Sequence, residues 1–175
     1  MNRAFVSVGS NIDPAVNTEK ALRLLAGEVR IVAVSTVYQT TAEGRPEEPF
    51  FYNCVVELET HSPPLELKSC VLRRIEWTLG RMRGQDKFAA RTIDLDLILY
   101  DELVLSSEKL TLPDPEIARR PYLAVPLHEL SPALVLPGWG TPISDIAARL
   151  AGSEMTPLKD YTERIRKEIL HEWKQ

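Results

Sequence analysis

Two carboxylates, Asp94 and Asp96, interrupt one of the most apolar stretches of the chain, residues 92–100 (TIDLDLILY). Side chains alternate along a strand, so Ile93, Leu95, Leu97 and Leu99 turn one way and the two aspartates the other. Their Cα atoms then lie roughly 6.7 Å apart, twice the rise per residue. Two like charges at that spacing raise each other's pKa, and aspartate is seldom buried unpaired. A cation must therefore stand against the pair. A structural ion pair with an arginine meets that need. So does magnesium, whose usual shell is one or two carboxylates completed by substrate phosphates.

The loop before this strand favours phosphates. Arg81, Arg83, Lys87 and Arg91 place four cations within eleven residues, against the single acid Asp86, on a chain of net charge −4. A basic loop on an acidic protein is a local anion site rather than general stickiness. Standing alone, such a charge run is usually a solvated turn. Leading straight into two carboxylates, it matches phosphoryl transfer, where Arg, Lys and Mg²⁺ neutralise the oxygens. No G-x-x-x-x-G-K-[ST] run is present, which excludes a P-loop enzyme.

The elements that position these residues follow from periodicity and punctuation. Residues 3–10 alternate and stop at Gly9-Ser10, a buried strand. Pro14 opens a helix with Ala21, Leu22, Leu24 and Leu25 on its apolar face and Gly27 as its stop. Residues 29–39, rich in Val, Ile and Thr, form a second strand. A loop over 40–49 is long enough to suggest function. Residues 51–60 make a third strand, with Tyr52, Cys54, Val56 and Leu58 on one face and Phe51, Asn53, Val55 and Glu57 on the other. Ser62-Pro63 starts a second helix, and Gly80 ends it. Residues 92–100 are the fourth strand. Strand, helix, strand, strand, helix, strand is the βαββαβ order of ferredoxin-like folds, an α+β antiparallel sheet with helices packed on it. A hairpin about Ser106-Ser107, a Pro-rich stretch, a helix over 143–150 and a charged terminal helix over 158–173 follow.

Length and composition bound the rest. One domain over residues 1–175 is expected from 175 residues, and 44% hydrophobic with 26% charged residues is ordinary globular usage. The acidic balance disfavours nucleic acid as a partner. The longest uncharged run, residues 130–144, is broken by prolines and glycines, so no membrane span is expected. Cys54 and Cys70 fit neither a disulfide framework nor zinc spacing. With no secretory signal in view, a cytoplasmic protein is expected, and we expect a monomer.

The run Lys87-Phe88-Ala89-Ala90-Arg91-Thr92-Ile93-Asp94-Leu95-Asp96-Leu97-Ile98 resembles the signature of the 6-hydroxymethyl-7,8-dihydropterin pyrophosphokinases of folate biosynthesis. Gly9-Ser10-Asn11, Tyr38-Gln39-Thr40, Tyr52-Asn53, Arg74-Ile75-Glu76, Gly80-Arg81, Arg120-Pro121-Tyr122 and Pro126-Leu127 extend the resemblance over about residues 3–137. It implies transfer of an intact pyrophosphate from the co-substrate ATP to the hydroxymethyl group of 6-hydroxymethyl-7,8-dihydropterin, with release of AMP. It further implies that Asp94 and Asp96 hold two Mg²⁺ ions, and that Arg81 and Arg91 stabilise charge moving during transfer. Arg83, Lys87 and Arg120 become further phosphate contacts, and Glu76, Leu97, Lys109 and Thr111 surround the adenosine. For the pterin the resemblance points to Asn53, whose amide both donates and accepts. Phe51 and Tyr122 then flank the ring, and Thr40 and Glu43 add loop contacts. From residue types alone, both aromatics would be read as core packing.

Several positions depart from the family pattern. Ala90 stands where proline is common, Phe88 where tryptophan is frequent, and Thr41 and Ala42 where the loop carries prolines. Asp114, in Pro113-Asp114-Pro115, replaces a histidine that touches nucleotide phosphates, so that role does not pass to it. Two other classes share a ferredoxin-like sheet. A palm-like two-metal nucleotidyltransferase would release free pyrophosphate rather than AMP. A non-catalytic RNA-recognition module would need a K/R-G-F/Y-G/A-F-V-x-F/Y run, which Phe51-Tyr52-Asn53-Cys54-Val55-Val56 is not. Closure of loops 40–50 and 81–91 over the substrates is a further expectation, since it would exclude water.

Overall fold

A computed structural model describes residues 1–41, 47, 49–82 and 90–171. Its centre is β1 (Asn2–Ser10), paired along its length with β4 (Phe51–Thr60) on one side and with β5 (Asp94–Tyr100) on the other. Between them in sequence come α1 (Pro14–Ala26), β2 (Arg30–Val34) and β3 (Tyr38–Thr40). Both β2 and β3 pair with β4, and every pairing in this sheet is antiparallel. Counting β2 and β3 as one interrupted strand, the order is fourth, first, third, second, which is the ferredoxin-like arrangement.

The expected strand over 29–39 is thus broken in two. At the break the Ser35 hydroxyl accepts the Val55 N–H at 2.9 Å and donates to the Thr36 carbonyl at 2.9 Å. A side chain here replaces a backbone partner and ends the ladder. The second helical rod is also composite. It runs from α2 (Pro64–Glu66) through a π-helical segment (Leu67–Leu72) into α3 (Arg73–Thr78), and Gly80 at φ 76° lets the chain turn out of it.

Alternation in β5 holds through Leu97 and then slips. A register shift between Phe5 and Val6 pairs Val6 with Leu97 but Phe5 with Leu99, leaving Ile98 as the extra residue. Leu99 therefore packs with Phe5 and Ile98, not with Leu95 and Leu97 as strict period two requires. The two faces of the sheet carry separate apolar clusters. One joins Val6, Val8, Cys54, Val56, Leu95 and Leu97 to α1 and the α2–α3 rod. The other joins Phe5, Val55, Ile98 and Leu99 to α4 (Pro121–Leu130) and α5 (Ile143–Leu150).

After β5 a short hairpin, β6 (Leu105–Ser106) with β7 (Thr111–Leu112), and a 3₁₀ turn (Pro115–Ala118) precede α4. The Pro-rich stretch thus hides α4, in which Pro121 sits at the first turn, where a missing N–H costs nothing. The last segment is built into the sheet and the core. β8 (Met155–Pro157) pairs with β3, and α6 (Lys159–His171) buries Ile165 and Ile169 completely in the first cluster.

Candidate active site

Asp94 and Asp96 project from β5 opposite Gly9 and Ser7 of β1, and Asn53 of β4 lies opposite Gly9. Because α4 covers only one end of this face, the other end is left open. A cavity of about 520 Å³ results, lined by Ser7, Gly9, Thr40, Thr41, Phe51, Asn53, Arg91, Asp94, Asp96, Asp114, Glu116, Arg120, Tyr122 and Leu123 among others. The structure therefore brings Arg91, Asp94, Asp96 and Arg120 together with Thr40, Phe51, Asn53 and Tyr122 in one space. Arg81 stands just behind, its Nη2 4.0 Å from Asp94 Oδ1.

The two aspartates differ in surroundings. Arg91 Nη1 donates to Asp94 Oδ2 at 2.5 Å, so Asp94 is compensated by arginines on two sides. Asp96 has no cation within ion-pair distance among the described residues. Asp96 is exposed where it lines the cavity. Desolvation first, then the charges of Asp94, Glu76 and Asp114, push its pKa up to about 7. The exposed surface of Asp96 limits that desolvation and leaves the direction upward. Asp114 is also shifted upward, chiefly by burial; its carboxylate accepts the Glu116 N–H at 2.8 Å as a cap of the 3₁₀ turn. An arginine pair thus accounts for Asp94 and not for Asp96.

Hard oxygen donors side by side, one of them uncompensated, suit Mg²⁺. Among the described residues no group of three or more His, Cys, Asp and Glu side chains could hold a metal. Arg81 Nε is buried without a hydrogen-bond partner among the described residues, a donor left over for an anion.

On the far side of the cavity, Asn53 is 7% exposed, and its Nδ2 donates to Thr40 Oγ1 at 2.8 Å. Gly9 makes room for the amide: a Cβ there would come within 3.0 Å of Asn53 Oδ1. The Arg91 guanidinium lies 5.7 Å from the centroid of Phe51, on the same ring expected to face the pterin. Arg120 Nε donates to Glu116 Oε2 at 2.6 Å. Burial raises the Tyr122 phenol above its ordinary pKa, so it stays neutral.

The residues expected around adenosine sit outside this cavity. Glu76, 2% exposed, accepts the Leu95 N–H at 2.9 Å and so covers the outer edge of β5. Leu97, also 2% exposed, points into the helix-side core, so its side chain presents no surface to a ligand. Lys109 and Thr111 are exposed on the β6–β7 hairpin, where the Lys109 carbonyl accepts from Lys68 Nζ at 2.6 Å. Glu43, Arg83 and Lys87 lie outside the described residues, as does most of both loops expected to close.

Ser7 and Glu116 also line the cavity, and neither stands out in the sequence. Ser7 has one signal, its place on the strand face shared with Gly9, and Glu116 has its i,i+4 spacing from Arg120.

An antiparallel α+β sheet carrying paired carboxylates, arginines and an amide-lined recess defines a phosphoryl-transferring class of site. Residues 5–132 match the family described as 7,8-dihydro-6-hydroxymethylpterin-pyrophosphokinase (HPPK). The chain is 32% identical over 161 residues to the 2-amino-4-hydroxy-6-hydroxymethyldihydropteridine pyrophosphokinase of Haemophilus influenzae, covering 90% of this chain and 99% of that one. It is 36% identical over 141 residues to the enzyme of the same name from Methylorubrum extorquens, covering 79% and 88%. The chain belongs to the 7,8-dihydro-6-hydroxymethylpterin-pyrophosphokinase family. Its fold is similar to that of Plasmodium falciparum HPPK-DHPS (TM-score 0.64, 14% identity), over 96% of this chain. This chain spans 45% of that longer protein.

Proposed function

We propose that the chain transfers pyrophosphate from ATP to the hydroxymethyl oxygen of 6-hydroxymethyl-7,8-dihydropterin, forming the pterin diphosphate and AMP in folate biosynthesis. The hydroxymethyl oxygen attacks the β-phosphorus, the bond from that phosphorus to the α–β bridging oxygen breaks, and AMP leaves. The hydroxyl proton goes to solvent. The observation that carries the reading is the asymmetry of the aspartate pair, with Asp94 paired to Arg91 and Asp96, among the described residues, without a cation within ion-pair distance on the cavity face.

In this reading Asp94 and Asp96 hold two Mg²⁺ ions together with the triphosphate. Bound there, the metal would neutralise phosphate oxygens and favour an oxyanion at the attacking hydroxymethyl group. Arg91 and Arg81 stand where charge shifts toward the leaving AMP, and Arg120 lies on the opposite wall as a further phosphate contact. Asn53 offers its carbonyl oxygen and its second amide proton to the pterin edge, the first proton being committed to Thr40. Phe51 and Tyr122 bound the ring, and Glu76 and the β6–β7 hairpin bound the adenosine. The integration of β8 and α6 into sheet and core supports one domain over residues 1–175. Two free cysteines, one of them buried, support a reducing cytoplasmic setting.

Incubation with ATP, Mg²⁺ and the reduced hydroxymethylpterin tests the assignment. AMP and pterin diphosphate in equal amounts are expected. ADP would place transfer at the γ-phosphate, and free pyrophosphate would indicate a nucleotidyltransferase; either result overturns the proposal.

A further inference from the structure

We propose that Asn11 is a positioning residue for pyrophosphoryl transfer, holding Arg91 through its main chain; the inference rests on the function proposed above. Asn11 is 2% exposed and is not among the residues that line the cavity. Its Oδ1 accepts the Arg91 N–H at 2.7 Å. In return the Arg91 carbonyl accepts the N–H groups of Asn11 and of Ile12, each at 3.2 Å. One residue further on, the Thr92 carbonyl accepts the fully buried Ser10 hydroxyl at 2.6 Å. Both polar groups of the Arg91 backbone are thus bound to the turn that follows β1, eighty positions away in sequence.

That attachment decides where the guanidinium can reach. Arg91 lies ahead of β5, which begins at Asp94, so the sheet ladder does not hold it. Its side chain nonetheless meets two targets at once, Asp94 at 2.5 Å and the Phe51 ring at 5.7 Å. Fixing the Cα narrows the positions from which the side chain can meet both. Two residues earlier, at the end of β1, Gly9 clears space for the Asn53 amide, so the strand end and the turn after it set both the arginine and the pterin-side amide. Asn11 Nδ2 is buried with no hydrogen-bond partner among the described residues. The described contacts of the side chain therefore run through its oxygen. Asn11→Asp keeps an accepting oxygen at that point, whereas Asn11→Ala leaves the Arg91 N–H without one.

Misplacement of a group by about 1 Å can cost on the order of 100-fold in rate. Because Arg91 acts on charge that moves during transfer, the loss belongs in kcat. The test measures kcat and both KM values for wild type, Asn11→Ala, Asn11→Asp, Arg91→Ala and the double variant Asn11→Ala/Arg91→Ala. Asn11→Ala is expected to lower kcat about tenfold or more with both KM values within about threefold, and Asn11→Asp to stay within about fivefold of wild type. In the Arg91→Ala background, Asn11→Ala should cost less than about twofold, the signature of action through Arg91. Should Asn11→Ala fail to fold, Asn11→Ser, whose hydroxyl falls short of the Arg91 N–H, carries the same comparison. Wild-type kcat in the short variant, an equal loss in Asn11→Asp, or an undiminished loss in the Arg91→Ala background would overturn the inference while leaving the function intact. A wild-type protein that forms no AMP would overturn both.

Discussion

Arg91 donates to Asp94 at 2.5 Å, while Asp96, on the same face of the same strand, has no cation within ion-pair distance among the described residues. One carboxylate is compensated by arginine, and in the proposed function the other takes a cation that arrives with substrate. Asp96→Asn should therefore lower AMP formation by at least about 100-fold, above the roughly 10–100-fold common for outer-shell partners of a metal site. Retention of the far-UV circular dichroism spectrum is expected, since the apolar side of β5 is untouched. Near-normal turnover would remove Asp96 from the mechanism.

The raised pKa of Asp96 gives the metal-free protein a pH signature of defined sign. A folded-state pKa of about 7 exceeds the unfolded value near 4, so the folded protein binds the extra proton between them. Stability from this group is full below about pH 4, falls as pH rises, and is lost above about pH 7. Asp96→Asn abolishes the effect. Thermal melts without divalent ions should thus show the wild type losing ground to the variant from pH 4.5 to 8. A difference independent of pH would contradict the assigned environment.

Gly9 faces Asn53 and Asp94 from the central strand, and the space above it is occupied by the amide. Gly9→Ala must displace Asn53 Oδ1 by a few tenths of an ångström. The KM for the pterin is expected to rise about 5- to 10-fold, with the KM for ATP within about twofold, in steady-state assays. Equal increases for both substrates would show that the clearance does not serve the pterin side alone.

Ile169 lies on α6 with no exposed surface. Ile169→Ala should cost about 2–5 kcal/mol in urea unfolding, the usual range for an emptied core site. A loss below about 1 kcal/mol would mean that α6 is an appendage rather than part of the core.

Much of this arrangement was legible in the sequence because it rests on local periodicity. The βαββαβ order, the shared face of Asp94 and Asp96, and the opposite faces of Asn53 and Cys54 all follow from alternation and from Pro and Gly punctuation. The bulge at Ile98 was not legible, because it arises from how β5 meets β1 and moves Leu99 to the other face. β8 is three residues long and depends on an edge supplied by β3, so no local pattern announces it. α4 was masked by its own prolines. In the site, residue types pointed to the carboxylates, arginines and amide that line the cavity. They were silent on Asn11 and Glu116, whose contacts run to Arg91 and Arg120. Sequence resemblance assigned Leu97 to the adenosine, while strand alternation turned it away from the aspartates, and the fold buries its side chain in the core.

In the proposed function, Asp94 and Asp96 hold divalent ions beneath a triphosphate. Counting bound Mn²⁺ by electron paramagnetic resonance, with α,β-methylene-ATP present, tests it without turnover. Two ions per protein–nucleotide complex are expected for the wild type, with at least one lost in Asp94→Asn and in Asp96→Asn. The same number of bound ions in all three proteins would contradict it.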